Sequence, residues 1–64
     1  MRFILFKHAE TAMALLLSET EAGERVWIPK SQVEVIREHP GALGEPDLIE
    51  LDMPEWLAEK KGFL

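Results

Sequence analysis

Short apolar runs separated by polar turn residues make up most of this chain, a pattern that predicts β-strands. The first run lies between the charged residues of the segment Arg2–Lys7. The second, Ala12–Ser18, has helix-favouring residues but is shorter than the ten or more expected of a helix. Both segments are therefore predicted to be strands. Residues 8–11 are predicted to form the tight connection between them.

The centre of the chain is predicted to hold two strands separated by Pro29. Proline lacks a backbone N–H, so within sheets it is confined to edges, strand starts and bulges. The strand before it, Arg25–Ile28, should form a hairpin with the second strand through loop 19–24, where Gly23 is expected to supply a positive φ. The strand after it, Gln32–Arg37, is expected to turn Val33 and Val35 to one face and Gln32 and Glu34 to the other.

The last third of the chain predicts a strand followed by a short helix. In the strand Asp47–Met53, every second residue is apolar, so Ile49, Leu51 and Met53 should share one face. Pro54 suits the first turn of a helix and Gly62 the position just past its end. The helix is expected to pack on the sheet through Trp56 and Leu57.

These elements predict one mainly β domain over residues 1–64. The expected fold is a small, strongly bent antiparallel sheet or an SH3-like partly open barrel, with a short C-terminal helix. A chain of 64 residues without cysteine has no disulfide to stabilise it. The core, supplemented by a partner subunit if the chain dimerises, must then supply the stability.

The net charge is −5, which favours a basic protein partner and argues against direct nucleic-acid binding. The N-terminus lacks the features of a signal peptide, and no apolar run is long enough to span a membrane. The sequence therefore predicts a cytoplasmic protein, with no membrane partner.

Catalytic and metal-binding motifs are missing from the sequence. His8 and His39 both fall in predicted turns, with no patterned nucleophile nearby. His8 with Glu10, and His39 with Glu38, are pairs of a kind common on protein surfaces. We therefore expect no enzyme activity, no metal site and no cofactor.

An acidic tract gives the first candidate binding surface. Between residues 41 and 59 there are six acidic residues and no basic residue. Glu50 and Asp52 lie two apart on a predicted strand, so they should point the same way about 6.6 Å apart. Such a row can imitate the phosphates of a nucleic acid, or can simply be a solvated face that prevents aggregation. The predicted partner-binding carboxylates are Glu45, Asp47, Glu50 and Asp52.

The second candidate surface consists of Trp27, Lys30 and Gln32. Tryptophan is favoured at the centres of protein interfaces. Strand alternation places Trp27 opposite to Val26 and Ile28, and one of these two sets must be the core. If Val26 and Ile28 are buried, Trp27 is either covered by the C-terminal helix or presented to a partner.

Two motifs resemble those of a group of small proteins from bacteria, phages and prophages. Residues 27–32 read W-I-P-K-S-Q and residues 54–60 read P-E-W-L-A-E-K. Members of the group carry a W-[IL]-P-K-S-Q centre and a P-x-W-L-A-x-K tail around a short β-rich body. The resemblance covers residues 3–62 except loop 39–46. It implies a small β fold and a mobile-element context, and it brings no catalytic residues.

These observations lead to a hypothesis of a non-enzymatic interaction protein from a phage or mobile element. It would act as an inhibitor of the anti-CRISPR type in the bacterial cytoplasm, its acidic face blocking the nucleic-acid-binding surface of a host defence complex. One alternative is a small barrel that binds single-stranded nucleic acid, with Trp27 stacking on bases and Arg25, Lys30 and Arg37 contacting phosphates. Another is an accessory module that forms a homodimer.

Overall fold

Five antiparallel strands form a single sheet in the order β3-β2-β1-β5-β4. The computed structural model describes all residues, 1–64. Its mainly β content and short C-terminal helix confirm the predicted fold class. The elements are β1 (Arg2–Glu10), β2 (Ala14–Ser18), β3 (Val26–Pro29), a 3₁₀ turn (Lys30–Gln32), β4 (Glu34–His39), β5 (Asp47–Asp52) and α1 (Glu55–Lys60).

The sheet is open, and its connections require it to curl. The two edge strands, β3 and β4, are consecutive in the chain and are joined through only the 3₁₀ turn and Val33. In a flat sheet, four strand spacings would separate them by about 19 Å. The five steps from Pro29 to Glu34 span at most about 18 Å even when fully extended, and a turn spans less. The edges must therefore approach each other, yet they do not pair, so the barrel stays unclosed.

The core lies on the inner, concave side of this curled sheet. Residues 15 and 17 of β2 are fully buried. Residues 49 and 51 of β5 are also fully buried, as the alternation predicted for that strand requires. Burial of alternate leucines in β2 also explains why a segment with high helix propensity is a strand. Nine residues make up the core: Leu5, Leu15, Leu17, Ile28, Ile49, Leu51, Met53, Leu57 and Ala58.

Strand β1 is longer than predicted because it contains a β-bulge. The turn expected at residues 8–11 is wrong, since β1 continues to Glu10 and its register with β2 shifts between Lys7 and Ala9. The actual turn lies at Thr11–Ala14, where the Thr11 N–H donates to the Ala14 carbonyl at 2.9 Å. A bulge adds one residue to one strand, so the period-two pattern is lost at that point.

Strand β4 is an edge strand with its own irregularity. It covers Glu34–His39 rather than Gln32–Arg37, and its register with β5 shifts between Val35 and Arg37. Val33 precedes the strand and packs against the core. Val35 lies opposite Leu51 but remains exposed, because no strand lies beyond β4 to cover it.

Of the two residues predicted to pack the C-terminal helix on the sheet, Leu57 is confirmed and Trp56 is wrong. Leu57 and Ala58 are buried, whereas the Trp56 side chain is 56% exposed. Successive helical residues are rotated by about 100°, so Trp56 lies about 200° from Ala58 and points away from the sheet. The predicted end of the helix is confirmed, since Gly62 follows it with a φ of +85°.

The expectation of a positive φ at Gly23 is wrong. Only Gly44 and Gly62 adopt a positive φ. A Cβ at position 23 would lie 2.6 Å from the Thr20 hydroxyl oxygen, so a larger residue there requires this side chain to move.

Candidate functional site

The structure does not assemble the predicted acidic residues into a row of free charge. Glu50 and Asp52 do share the outer face of β5, as predicted. However, Glu50 lies 3.3 Å from Arg37 and 3.9 Å from Arg2, and its side chain is largely buried. Asp52 accepts a hydrogen bond from the Met1 ammonium group at 3.0 Å. Both carboxylates are therefore already neutralised within the chain.

The other two predicted carboxylates lie in or beside the loop between β4 and β5. Asp47 Oδ1 accepts the backbone N–H of Gly41 at 2.9 Å and so closes this loop. A Cβ at position 41 would lie 2.4 Å from the Pro46 carbonyl oxygen, which explains the glycine. Glu45 is exposed in the loop and forms no salt bridge. Of the four predicted residues, only Glu45 presents an unpaired carboxylate.

Lys30 belongs to an ion cluster rather than to a recognition patch. Its ammonium group contacts Glu10, whose other oxygen lies 2.8 Å from Lys7 Nζ, and Lys7 also contacts Glu38 at 2.9 Å. We call Lys7, Glu10, Lys30 and Glu38 the ion cluster. It joins β1, the 3₁₀ turn and β4, so its four side chains stabilise the fold.

Gln32 is also separated from Trp27. It is exposed at the end of the 3₁₀ turn and lines a wide cleft of about 400 Å³ together with Met1 and Pro54. Trp27 lies on β3, with the ion cluster residue Lys30 between the two in sequence. Gln32 therefore lines a cleft in which Trp27 takes no part, and Lys30 is paired with Glu10.

Trp27 lies on the outer face of the sheet, and its side chain is 46% exposed. Val26 and Ile28 point inward, since Ile28 is fully buried and Val26 packs against the core. Helix α1 packs on this same inner side through Leu57. It therefore cannot cover Trp27, so the alternative in which the C-terminal helix buries this side chain is excluded.

Other apolar side chains on the outer face continue the surface of Trp27. Leu16 is its direct partner on β2, and Phe6 on β1 is the partner of Leu48 on β5. Ile4, two positions from Phe6 along β1, is 61% exposed. Direct and diagonal neighbours of this kind lie within contact distance on a sheet face. We define the outer apolar patch as Ile4, Phe6, Leu16, Trp27 and Leu48.

An acidic loop lies beside this patch. The β2–β3 loop carries Glu19, Glu21 and Glu24, none of which forms a salt bridge, and it leads directly into β3. The pKa of His8 is lowered, chiefly by burial and then by the charge of Arg25, while Glu21 opposes the shift. The His8 ring contacts Ser18, whose hydroxyl donates to the Thr20 carbonyl, so the loop begins beside the His8 bulge of β1. We refer to Glu19, Glu21 and Glu24 as the acidic loop.

The sequence predicts Trp27 as a candidate but neither its apolar neighbours nor the acidic loop. Three glutamates in six residues mark this loop, yet the sequence pattern predicts only a hairpin connection there. The outer apolar patch could be found only with the strand order, because its members come from β1, β2, β3 and β5.

The His8–Ser18 pair is a structural contact. Ser18 is fully buried, and its hydroxyl group donates to the Thr20 carbonyl. Since the hydroxyl proton is used there, His8 Nε2 must donate its own hydrogen to Ser18 Oγ, 2.6 Å away. A histidine that donates to a serine cannot also remove its proton, so this arrangement does not activate Ser18 as a nucleophile.

No cluster of three or more His, Asp or Glu side chains is arranged to hold a metal ion. The only α-helix, at six residues, falls well short of the length needed to cross a bilayer.

Comparison with protein-family models, with curated proteins and with solved structures gave no match to this chain. The resemblance based on the two motifs therefore stays a prediction.

Proposed function

We propose that the protein is a non-enzymatic interaction module that binds a basic surface of a protein partner. The observation that carries this proposal is the position of Trp27. It is half exposed within the outer apolar patch, on the side of the sheet that α1 does not cover, and it lies three residues after Glu24 of the acidic loop.

The two parts of the site have complementary roles in binding. Tryptophan buries a large area at little entropic cost and is enriched among residues that dominate interface energy. The unpaired carboxylates of the acidic loop attract a basic partner over a distance and so speed association. The acidic loop would thus orient the partner, and Trp27 with its apolar neighbours would hold it.

The more specific form of the proposal is inhibition of a bacterial defence complex by a protein of a phage or mobile element. The net charge of −5 and the two sequence motifs support it. The blocked surface would be a nucleic-acid-binding channel lined by Lys and Arg. The carboxylates of the acidic loop are better placed for this role than Glu50 and Asp52, which are paired within the chain.

The structure favours protein binding over binding of single-stranded nucleic acid. Of the three cations proposed for phosphates, Lys30 contacts Glu10 and Arg37 contacts Glu50. Only Arg25 is free of a salt bridge. One unpaired arginine beside three unpaired glutamates is a poor phosphate site.

The experiment is affinity capture from nuclease-treated bacterial lysate with tagged wild type and three variants. Trp27→Ala and the triple variant E19Q/E21Q/E24Q should each reduce recovery of the partner by about tenfold or more. Trp56→Ala is the matched control, because Trp56 is at least as exposed but lies on α1. Recovery that is unchanged by Trp27→Ala, or reduced equally by Trp56→Ala, would overturn the proposed site.

The inhibitor form has its own test with the captured complex. Added DNA or RNA should compete with the protein for the partner, and the association rate should fall as salt is raised. Capture of a partner that nucleic acid does not displace would reject inhibition while leaving the interaction module in place.

A further inference from the structure

The two free edges of the open sheet differ in how they are protected against strand pairing. Edge strand β4 carries three charged residues and a bulge, which are common devices that prevent the addition of another strand. Edge strand β3 has the sequence Val-Trp-Ile-Pro, with no charge and no irregularity in its register with β2. Only the short length of β3 and its final proline limit the addition of another strand there. The unprotected β3 edge is therefore where a further strand can add.

The hydrogen-bond ladder shows which backbone groups this edge offers. The Lys30 N–H donates to the Met13 carbonyl at 2.8 Å, which extends the β2–β3 ladder by one bonded position. In an antiparallel ladder, bonded and non-bonded positions alternate. Ile28 and Val26 therefore bond to β2, while the N–H and C=O of Trp27 point to the free edge. Continuing the alternation to Arg25, which directly precedes β3, gives it the same orientation, and Pro29 offers only a carbonyl.

We propose that a second copy of the chain adds to this edge, with β3 antiparallel to the β3 of its partner and Trp27 on the two-fold axis. Two hydrogen bonds then join the Trp27 backbones, and each Arg25 N–H donates to the Pro29 carbonyl of the other copy. Because Pro29 has no N–H, each Arg25–Pro29 pair forms one hydrogen bond instead of two, and the Arg25 carbonyl stays in contact with water. Across the axis, the two Trp27 side chains become cross-strand neighbours on the outer face.

The charges at both ends of the paired strands are complementary in this register. Counting outward from Trp27, Glu24 of one copy lies opposite Lys30 of the other. Glu24 forms no salt bridge in its own chain, and the Lys30 ammonium group has three donors, of which Glu10 uses one. The register therefore pairs Glu24 with Lys30. Because the contact is two-fold symmetric, this pair of unlike charges occurs twice.

The dimer would join the two outer faces into one ten-stranded surface with the apolar patches adjacent. It uses the backbone edge of β3 rather than the side-chain surface of the outer face. The inference does not depend on the proposed function, and it can be tested on purified protein with no partner present.

The first experiment is sedimentation equilibrium combined with amide hydrogen exchange measured by NMR. We expect a mass of twice 7.3 kDa at high concentration. The Trp27 and Arg25 amides should be protected in the dimer and exchange rapidly on dilution. The Ile28 amide, which bonds within the chain, should stay protected at both concentrations and serves as the internal reference. A monomer at millimolar concentration, or a dimer with unprotected Trp27 and Arg25 amides, would overturn the proposal.

The second experiment uses Trp27→Arg, which places like charges directly opposite each other and removes the tryptophan pair. The dimer dissociation constant should rise by about tenfold or more. Trp56→Arg should leave it unchanged. If Trp27→Arg does not fold, Glu24→Lys tests the terminal ion pair, with an expected rise of about two- to fivefold. A dissociation constant that neither β3-edge variant changes would place the interface elsewhere and overturn the proposal.

Discussion

Lys7 and Glu10 form an ion pair of 2.8 Å, although residues three apart on a regular strand point to opposite faces. The bulge at His8 makes the contact possible. It inserts one residue between the positions paired with Leu17 and Leu16, so the alternation restarts and Glu10 turns to the same face as Lys7. The ion cluster that ties β1 to β4 and the 3₁₀ turn therefore depends on an irregularity of one strand.

Lys7 should contribute more to stability than Lys30, because its side chain is 13% exposed and bonds two carboxylates. Lys7→Met should lower the free energy of unfolding by about 1–3 kcal/mol. Lys30→Met removes one contact of a more exposed side chain and should cost less than about 1 kcal/mol. Urea unfolding of the purified variants measures both values. Equal losses in the two variants would contradict the ranking.

Acid should weaken the ion cluster through Glu10. The hydrogen bonds from Lys30 and then Lys7 lower the pKa of Glu10 from 4.5 to about 2. The folded state thus holds this proton less tightly than the unfolded state, so the stabilisation is complete above pH 4.5 and is lost as the pH falls toward 2. Urea unfolding between pH 7 and pH 2 should show that the wild type is more stable than Glu10→Gln at neutral pH and that this difference in the free energy of unfolding disappears as the pH falls toward 2. An advantage that stays constant with pH would contradict the assignment.

The buried hydroxyl of Ser18 predicts a second stability effect. Ser18→Ala leaves the His8 N–H and the Thr20 carbonyl without their hydrogen-bond partner and should cost about 1–2 kcal/mol.

The lowered pKa of His8 means that the unfolded state takes up a proton first as the pH falls below 6.5, so stability should decrease there. An NMR titration of the His8 ring checks the direction of the shift. A midpoint above 6.5 would contradict it.

The sequence predicted the strands and helix well where alternation and turn residues agreed. The Ile49–Leu51–Met53 pattern, Pro54 and Gly62 all act locally, so their positions could be inferred without the fold. The bulge at His8 could not, because it is defined by pairing with β2. Residues 8–11 are therefore predicted as a turn from the sequence, whereas β1 continues to Glu10.

The candidate site depended even more on contacts distant in sequence. The predicted acidic row assumed that Glu50 and Asp52 were free, whereas Arg2, Arg37 and the Met1 ammonium group neutralise them. The sequence singles out Trp27 as a candidate, but whether α1 covers it depends on which face of the sheet is concave. These ion pairs, and the face of the sheet that is buried, depend on strand order and sheet curvature. Neither can be inferred from a local sequence pattern.

The most direct test of the proposed site is photo-crosslinking from two positions with similar exposure on opposite sides of the sheet. A photoreactive phenylalanine derivative would replace Trp27 in one protein and Trp56 in the other. After irradiation in nuclease-treated bacterial lysate, the proposal predicts an adduct with a basic protein partner from position 27 and none from position 56. Adducts from position 56 alone, or no adduct with another protein from position 27, would contradict it.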